Sequence, residues 1–177
     1  MDTHYWELNP DIDIERAWSM PHKWTFQIKP IYDFVYSAIA PCARVLVPYA
    51  GFTRFPQSHG QTIIYIDTES NLPLPYVQDD VVHVMETLRD EDASFDIVVL
   101  DPPYSSHQSV HTYHGAKRID ISYVKDLARD LRARAVITCG YNSNGMGKTR
   151  GYTKEKMLVV AMGGEHNDYI VVLEKRT

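Results

Sequence analysis

Apolar positions recur along this chain with two periods, and each change of period marks an element. Pro30 opens a helical pattern in which Ile31, Phe34, Val35 and Ile39 share one face, and Pro41 closes it. Ala43–Val47 is a continuous apolar run stopped by Pro48 and Gly51, which predicts a buried strand. Thr62–Ile66 predicts a second strand, ending at Asp67, and 71–75 a loop. Helical spacing returns at Val81–Leu88. Phe95–Leu100 is the strongest buried strand in the sequence, and Asp101-Pro102-Pro103 closes it. Ser105–Arg118 is polar and reads as a loop. Ser122–Arg132 places Tyr123, Leu127 and Leu131 on one helix face. Ala135–Cys139 is a strand and Asn142–Gly151 a glycine-rich loop. Met157–Ala161 and Tyr169–Leu173 are two more strands, joined by a turn-rich stretch that predicts an antiparallel hairpin.

Continuous apolar strands separated by helices imply an α/β fold, a mostly parallel sheet covered by helices on both faces. The C-terminal hairpin adds an antiparallel member. Residues 1–27 show no clean periodicity but carry Trp6, Trp18 and Trp24. So much aromatic area predicts an irregular segment packed on the domain. The 177 residues suit one domain, 1–177, with a core of its own.

Composition narrows the class. No apolar run approaches the ~20 residues that cross a bilayer, the acidic start does not resemble a signal peptide, and two cysteines make no disulfide framework. A cytoplasmic setting is expected, with no membrane partner. The net charge of −5 is unevenly spread. Residues 1–114 carry 6 Lys/Arg against 16 Asp/Glu, residues 115–156 carry 10 against 4, and the last 21 carry 2 against 3. A polyanion could be held at the basic middle segment; a solvated helix face explains the same charges equally well.

In sheets of this kind ligands sit beyond the carboxyl ends of the strands. Pro48-Tyr49-Ala50-Gly51 follows the first strand, Asp67 the second, Asp79 and Asp80 stand before the next helix, and Asp101-Pro102-Pro103-Tyr104 follows the strongest strand. An acid ending the second strand can accept both hydroxyls of a ribose. Singly each aspartate is an ordinary cap or turn former. Together they favour a nucleoside-containing ligand.

FDIVVLDPPY resembles motif IV of the amino-methyltransferases, which transfer methyl from S-adenosylmethionine to an exocyclic amine of a base. TFQIKPIYDFV is similar to their motif X at Lys29-Pro30, VLVPYAG to motif I, IIYID to motif II and DDVVHVMETL to motif III. The tail NSNGMGKTRG and GGEHNDYIVVLEK is similar to small adenine-specific DNA methylases of phages and archaeal viruses. The resemblance spans roughly residues 18–175 and implies a Rossmann-like, seven-stranded methyltransferase fold with no separate target-recognition domain. It implies S-adenosylmethionine as cofactor, held by Lys29, Pro30, Pro48, Tyr49, Ala50, Gly51, Asp67 and Asp80. It implies catalysis by Asp101, Pro102, Pro103 and Tyr104. The amine lone pair of adenine is delocalised into the ring. Two acceptors, the Asp101 carboxylate and the Pro102 carbonyl, would hold both amine hydrogens and free that pair for attack. Pro102 and Pro103 fix the turn, and Tyr104 offers a face for a base taken out of its stack. DNA is the expected partner, with RNA or cytosine N4 left open, contacted through Tyr113, Lys117, Arg118, Lys148 and Arg150. So little surface for DNA makes a homodimer a reasonable expectation. One departure stands out: Val47 occupies the place of the motif I acid, and Phe52-Thr53 follow where a second glycine is usual. That leaves a binding protein without transfer activity as the other reading.

Other signals are weaker. GMGKT at 145–149 lacks the first glycine of a phosphate loop, because position 142 is Asn142, and leads into a strand. Pro41-Cys42 precedes the first strand, unlike the cysteine dipeptide of cytosine-C5 enzymes, so a packed thiol is expected. His107, His111 and His114 have helical spacing within a Ser/Gly-rich loop and no neighbouring thiol or carboxylate, so no metal is expected.

Overall fold

The computed structural model describes residues 12–58, 60–103, 120–164 and 166–177. Eight strands form one sheet: β1 (Asp13–Ser19), β2 (Arg44–Pro48), β3 (Thr62–Asp67), β4 (Val77–Gln78), β5 (Ile97–Leu100), β6 (Ala135–Gly140), β7 (Tyr152–Met162) and β8 (Tyr169–Arg176). Their order is β1-β7-β8-β6-β5-β2-β3-β4. Every pairing is parallel except those of β8 with β6 and β7. The mostly parallel sheet and its C-terminal hairpin thus match the expectation from sequence.

Among the described residues the helices are α1 (Lys29–Ala38), α2 (Val81–Asp90) and α3 (Ile121–Asp130), with short 3-10 turns at Thr25–Gln27 and Lys148–Arg150. Pro30 sits in the first turn of α1, where its missing N–H costs nothing. Asp80 and Asp120 cap α2 and α3 by accepting from His83 N and Tyr123 N.

Alternation along the central strands divides the core in two. Val45, Val47, Ile97, Val99, Ile137 and Cys139 face α1 and the 3-10 turn before it. Leu46, Val98, Leu100 and Val136 face α2 and α3 through Met85, Val124 and Leu127. Each strand buries both faces, which is why these runs read as continuous apolar stretches.

The hydrophobic pattern locates six of these eight strands, and the family resemblance implies seven; β1 and β4 are the two the pattern misses. β1 lies in the segment expected to be irregular. Its seven residues are mostly exposed, so no alternation betrays it. What holds it is parallel pairing along β7, from Asp13↔Lys156 to Ser19↔Met162, and the Lys156 ion pair with Glu15. β4 is two exposed residues paired with the end of β3. β7 also begins five residues earlier than its apolar run, and β8 runs three residues further. Trp18 is 65% exposed and does not pack as expected, whereas Trp24 is half-buried. Among the described residues no helix is long and apolar enough to cross a membrane.

Candidate active site

Three parallel strands, β2, β3 and β5, end along one edge, and a cleft opens there. Its walls are Tyr49, Ala50 and Gly51 after β2, Asp67 and Thr68 at the end of β3, Asp80 to Val82 at the start of α2, and Asp101 and Pro103 after β5. Lys23, Trp24, Thr25 and Phe26 complete it. Four segments far apart in sequence thus meet at one cleft because each leaves the sheet at the same edge.

Asp67 organises the floor. It is only 5% exposed, yet both carboxylate oxygens are engaged: Oδ2 accepts from Gly51 N at 2.8 Å and Oδ1 from Glu69 N at 2.9 Å. Each oxygen keeps a further lone pair for a ligand. The Asp67 carbonyl accepts from Asp79 N at 3.2 Å, which ties the loop before α2 to the same point. Asp80 serves twice: its Oδ1 caps α2 at 3.0 Å from His83 N, and it lines the cleft.

The turn after β2 is tightly wound. Tyr49 and Gly51 both adopt positive φ, 59° and 55°. A Cβ on Gly51 would come within 2.7 Å of the Trp24 indole. The glycine is therefore required twice, for its φ and because an aromatic ring lies against it. Trp24 also stacks on Phe52 at 6.5 Å and takes Lys23 Nζ over its ring at 4.5 Å. The Tyr49 hydroxyl is buried without a hydrogen-bond partner. Burial first, and then the charges of Asp80 and Asp67, push its pKa well above the ordinary tyrosine value, so it stays neutral.

Near Asp101, outside the cleft lining, lies an aromatic pair that sequence reasoning missed. Gly140↔Ile170 is the last paired register of β6 and β8, which leaves Tyr141 and Tyr169 opposite one another. Their rings are 5.0 Å apart and the Tyr141 hydroxyl donates to that of Tyr169 at 3.5 Å. Burial, then Tyr141, then the charge of Asp101 raise the pKa of Tyr169, and Thr25 acts on it in the opposite sense. Cys139, fully buried on the neighbouring strand, is raised by burial and then by Asp101. The aspartate is thus flanked by groups that stay neutral. Only the β6–β8 register brings the two tyrosines here; in sequence they look like ordinary strand ends.

Of the residues expected at the site, Tyr49, Ala50, Gly51, Asp67, Asp80, Asp101 and Pro103 line the cleft together. Pro48 and Pro102 are buried in the turns beneath it and do not line it. Lys29 and Pro30 do not line it either: Lys29 is exposed and paired with Asp33 at 2.6 Å, one turn along α1. The stretch that resembles motif X reaches the cleft only at its start, Thr25 and Phe26, with Lys23 and Trp24 just before it. Arg150 is spent inside the fold, on Asp126 at 2.9 Å, Ser122 Oγ at 2.7 Å and the Met146 carbonyl. Lys148 is exposed beside it. Tyr104, Tyr113, Lys117 and Arg118, with the three loop histidines, lie outside the described residues. Among the described residues no group of three or more His, Cys, Asp or Glu could hold a metal.

No protein-family model and no curated protein sequence matches the chain. Solved structures do. A SAM-dependent methyltransferase from Agrobacterium tumefaciens matches 82% of this chain with a TM-score of 0.53 and 12% identity. A protein from Streptococcus mutans assigned as a SAM-dependent methyltransferase matches 82% with a TM-score of 0.56 and 12% identity. SMU.776, assigned as a methyltransferase and complexed with SAH, matches 83% with a TM-score of 0.55 and 14% identity. The matches cover 59%, 48% and 48% of those chains, so this chain spans about half their length. At such identities the likeness is one of fold: this chain has the Rossmann-like α/β fold of these methyltransferase structures.

Proposed function

We propose that this protein is an S-adenosylmethionine-dependent methyltransferase acting on the exocyclic N6 amine of adenine in DNA. The observation that carries the reading is the meeting of Asp101 and Pro103 with Gly51, Asp67 and Asp80 around one cleft. A nucleoside cofactor fits those donors and acceptors. Asp67 would take the ribose hydroxyls on its remaining lone pairs, Asp80 the adenine amine, and Ala50-Gly51 leave room for close approach. S-adenosylmethionine, when bound, supplies a methyl group on a positively charged sulfur.

The chain's own residues would do the rest. Asp101 accepts one hydrogen bond from the target amine and the Pro102 carbonyl a second. Both acceptors draw the nitrogen out of conjugation and hold its lone pair for in-line attack. Pro102 and Pro103 have fixed φ and no N–H, so the carbonyl stays aimed. The likeness to DNA methylases in Tyr104 and the C-terminal tail supports DNA as substrate, with the same chemistry on RNA or cytosine N4 as the near variant.

One observation favours a second reading. Val47, at the place of the usual motif I acid, is 0% exposed within the apolar core facing α1 and offers the cofactor nothing. A relative that binds nucleic acid without methyl transfer would carry such a change. The test is a transfer assay with labelled S-adenosylmethionine on unmethylated genomic DNA, with products digested to nucleosides. The expected product is N6-methyldeoxyadenosine, and Asp101→Ala should lower transfer by about a hundredfold or more while cofactor binding persists. Label in RNA alone would move the substrate. Calorimetry showing no cofactor binding would favour the binding protein.

A further inference from the structure

The turn after β2 has one glycine where its relatives by motif have two, and something else must hold its shape. Arg54 does this in an unusual way. Its Nη1 donates to two carbonyls of the turn, Gly51 O at 3.0 Å and Thr53 O at 2.8 Å. Its guanidinium lies between two aromatic rings, 4.6 Å from the Tyr65 centroid and 5.5 Å from that of Tyr76. Its Nε and Nη2 are buried and have no hydrogen-bond partner. Burial lowers its pKa and the charge of Asp67 is among the influences that restore it; an arginine so placed keeps its proton.

A half-buried cation with two unsatisfied nitrogens is a poor device for stability, because desolvation offsets what its contacts contribute. Apolar residues of the same shape would serve a core better. What the arginine does, and an apolar chain could not, is fasten Gly51 O and Thr53 O to one nitrogen, Nη1, of its rigid guanidinium fork. The Gly51 N–H on the same turn donates to Asp67. The remainder of the loop is pinned separately, by Gln27 to Thr53 Oγ1 at 2.8 Å and by Phe55 N to the Tyr65 hydroxyl at 2.8 Å. Among the described residues Arg54 alone donates to the carbonyls of the cleft-lining Gly51 and of Thr53.

We infer that Arg54 is a positioning residue for cofactor binding: it replaces the missing second glycine as the element that sets the turn against Asp67. The inference rests on the cofactor reading given above. It predicts that Arg54 acts on cofactor affinity and not on the acceptor step. Arg54→Met keeps the length and the stacking between Tyr65 and Tyr76 but removes the fork. Its dissociation constant for S-adenosylmethionine should rise about tenfold, with kcat at saturating cofactor and KM for DNA changed by less than about twofold. Arg54→Lys keeps the charge and can reach one carbonyl, so its loss should be intermediate.

A ligand-free measurement accompanies these. Amide exchange at Gly51, read by NMR or mass spectrometry without cofactor, should speed up about tenfold in Arg54→Met while amides of β6 keep wild-type protection. Unchanged cofactor affinity and unchanged Gly51 exchange in the folded variant would overturn the inference. So would a uniform loss of protection across the sheet, which marks a merely structural role. If Arg54→Met does not fold, Arg54→Lys decides on the same two readouts. A wild-type protein that binds no S-adenosylmethionine would overturn the functional reading, and the Gly51 exchange would still decide the role of Arg54 in the turn.

Discussion

Three glycines show how differently one residue type can be used. Gly51 has φ +55° and the Trp24 indole where a Cβ would go. Gly147 has φ +81° and nothing within 4 Å of that point. Gly145 has no unusual φ, yet a Cβ there would collide with the Glu174 carboxylate. Alanine at Gly147 therefore incurs backbone strain alone, about 1–3 kcal/mol, because φ 81° with ψ 162° is a conformation that essentially only glycine adopts. Alanine at Gly51 adds a ring clash and should cost about 2–4 kcal/mol. Alanine at Gly145 displaces a buried carboxylate from its two amides and should cost about 3 kcal/mol or more. Urea denaturation of the three variants should find Gly145→Ala the costliest. A cost at Gly51 of no more than about 1 kcal/mol would show that Trp24 yields freely. The Gly51 turn was legible in sequence because a strand, a proline and a glycine stand together. Gly145 was not, because its reason for being glycine lies 29 residues away on β8.

The same distance between cause and sequence governs the elements. The central strands announced themselves because both of their faces are buried. β1 and β4 did not, because pairing alone holds them and their side chains are exposed. The glycine-rich connection from β6 to β7 looked like an open loop suited to meeting phosphate. In the fold it is clipped down: fully buried Glu174 accepts from Met146 N and Gly147 N, and Lys125 Nζ donates to the Asn144 and Gly145 carbonyls, each at 2.7 Å. A carboxylate on two amides is a charge-assisted pair. Glu174→Gln keeps the volume but turns one acceptor into a donor facing an N–H. It should lose about 2–4 kcal/mol in urea unfolding, without change in the circular dichroism of the folded state. If stability is unaffected, the clip is ornamental and the connection is held by Arg150 and Lys125 alone.

Across the whole molecule, the basic excess of residues 115–156 changes meaning once folded. Arg129, Arg132, Arg134, Arg150 and Lys156 are each ion-paired with carboxylates, and Lys125 is held by carbonyls. Among the described residues of that segment only Lys148 and Lys154 have no such partner, and Lys117 and Arg118 lie outside the description. Charge counted along the sequence cannot show this, because the partners Asp13, Glu15, Asp92 and Asp96 belong to other segments. The consequence can be measured if DNA is the partner. Each phosphate neutralised by a cation contributes about −0.9 to the slope of log affinity against log salt. Ten cations from the segment would give about −9, whereas Lys148 and Lys154 counted together with Lys117 and Arg118 give about −4. A salt titration of duplex binding is expected near the shallower value, and Lys148→Ala with Lys154→Ala should flatten it by about 2. A slope near −9 would mean that the internal ion pairs open on binding. In that case the segment is a reservoir of positive charge released by DNA, and the fold described here is the resting arrangement of its surface.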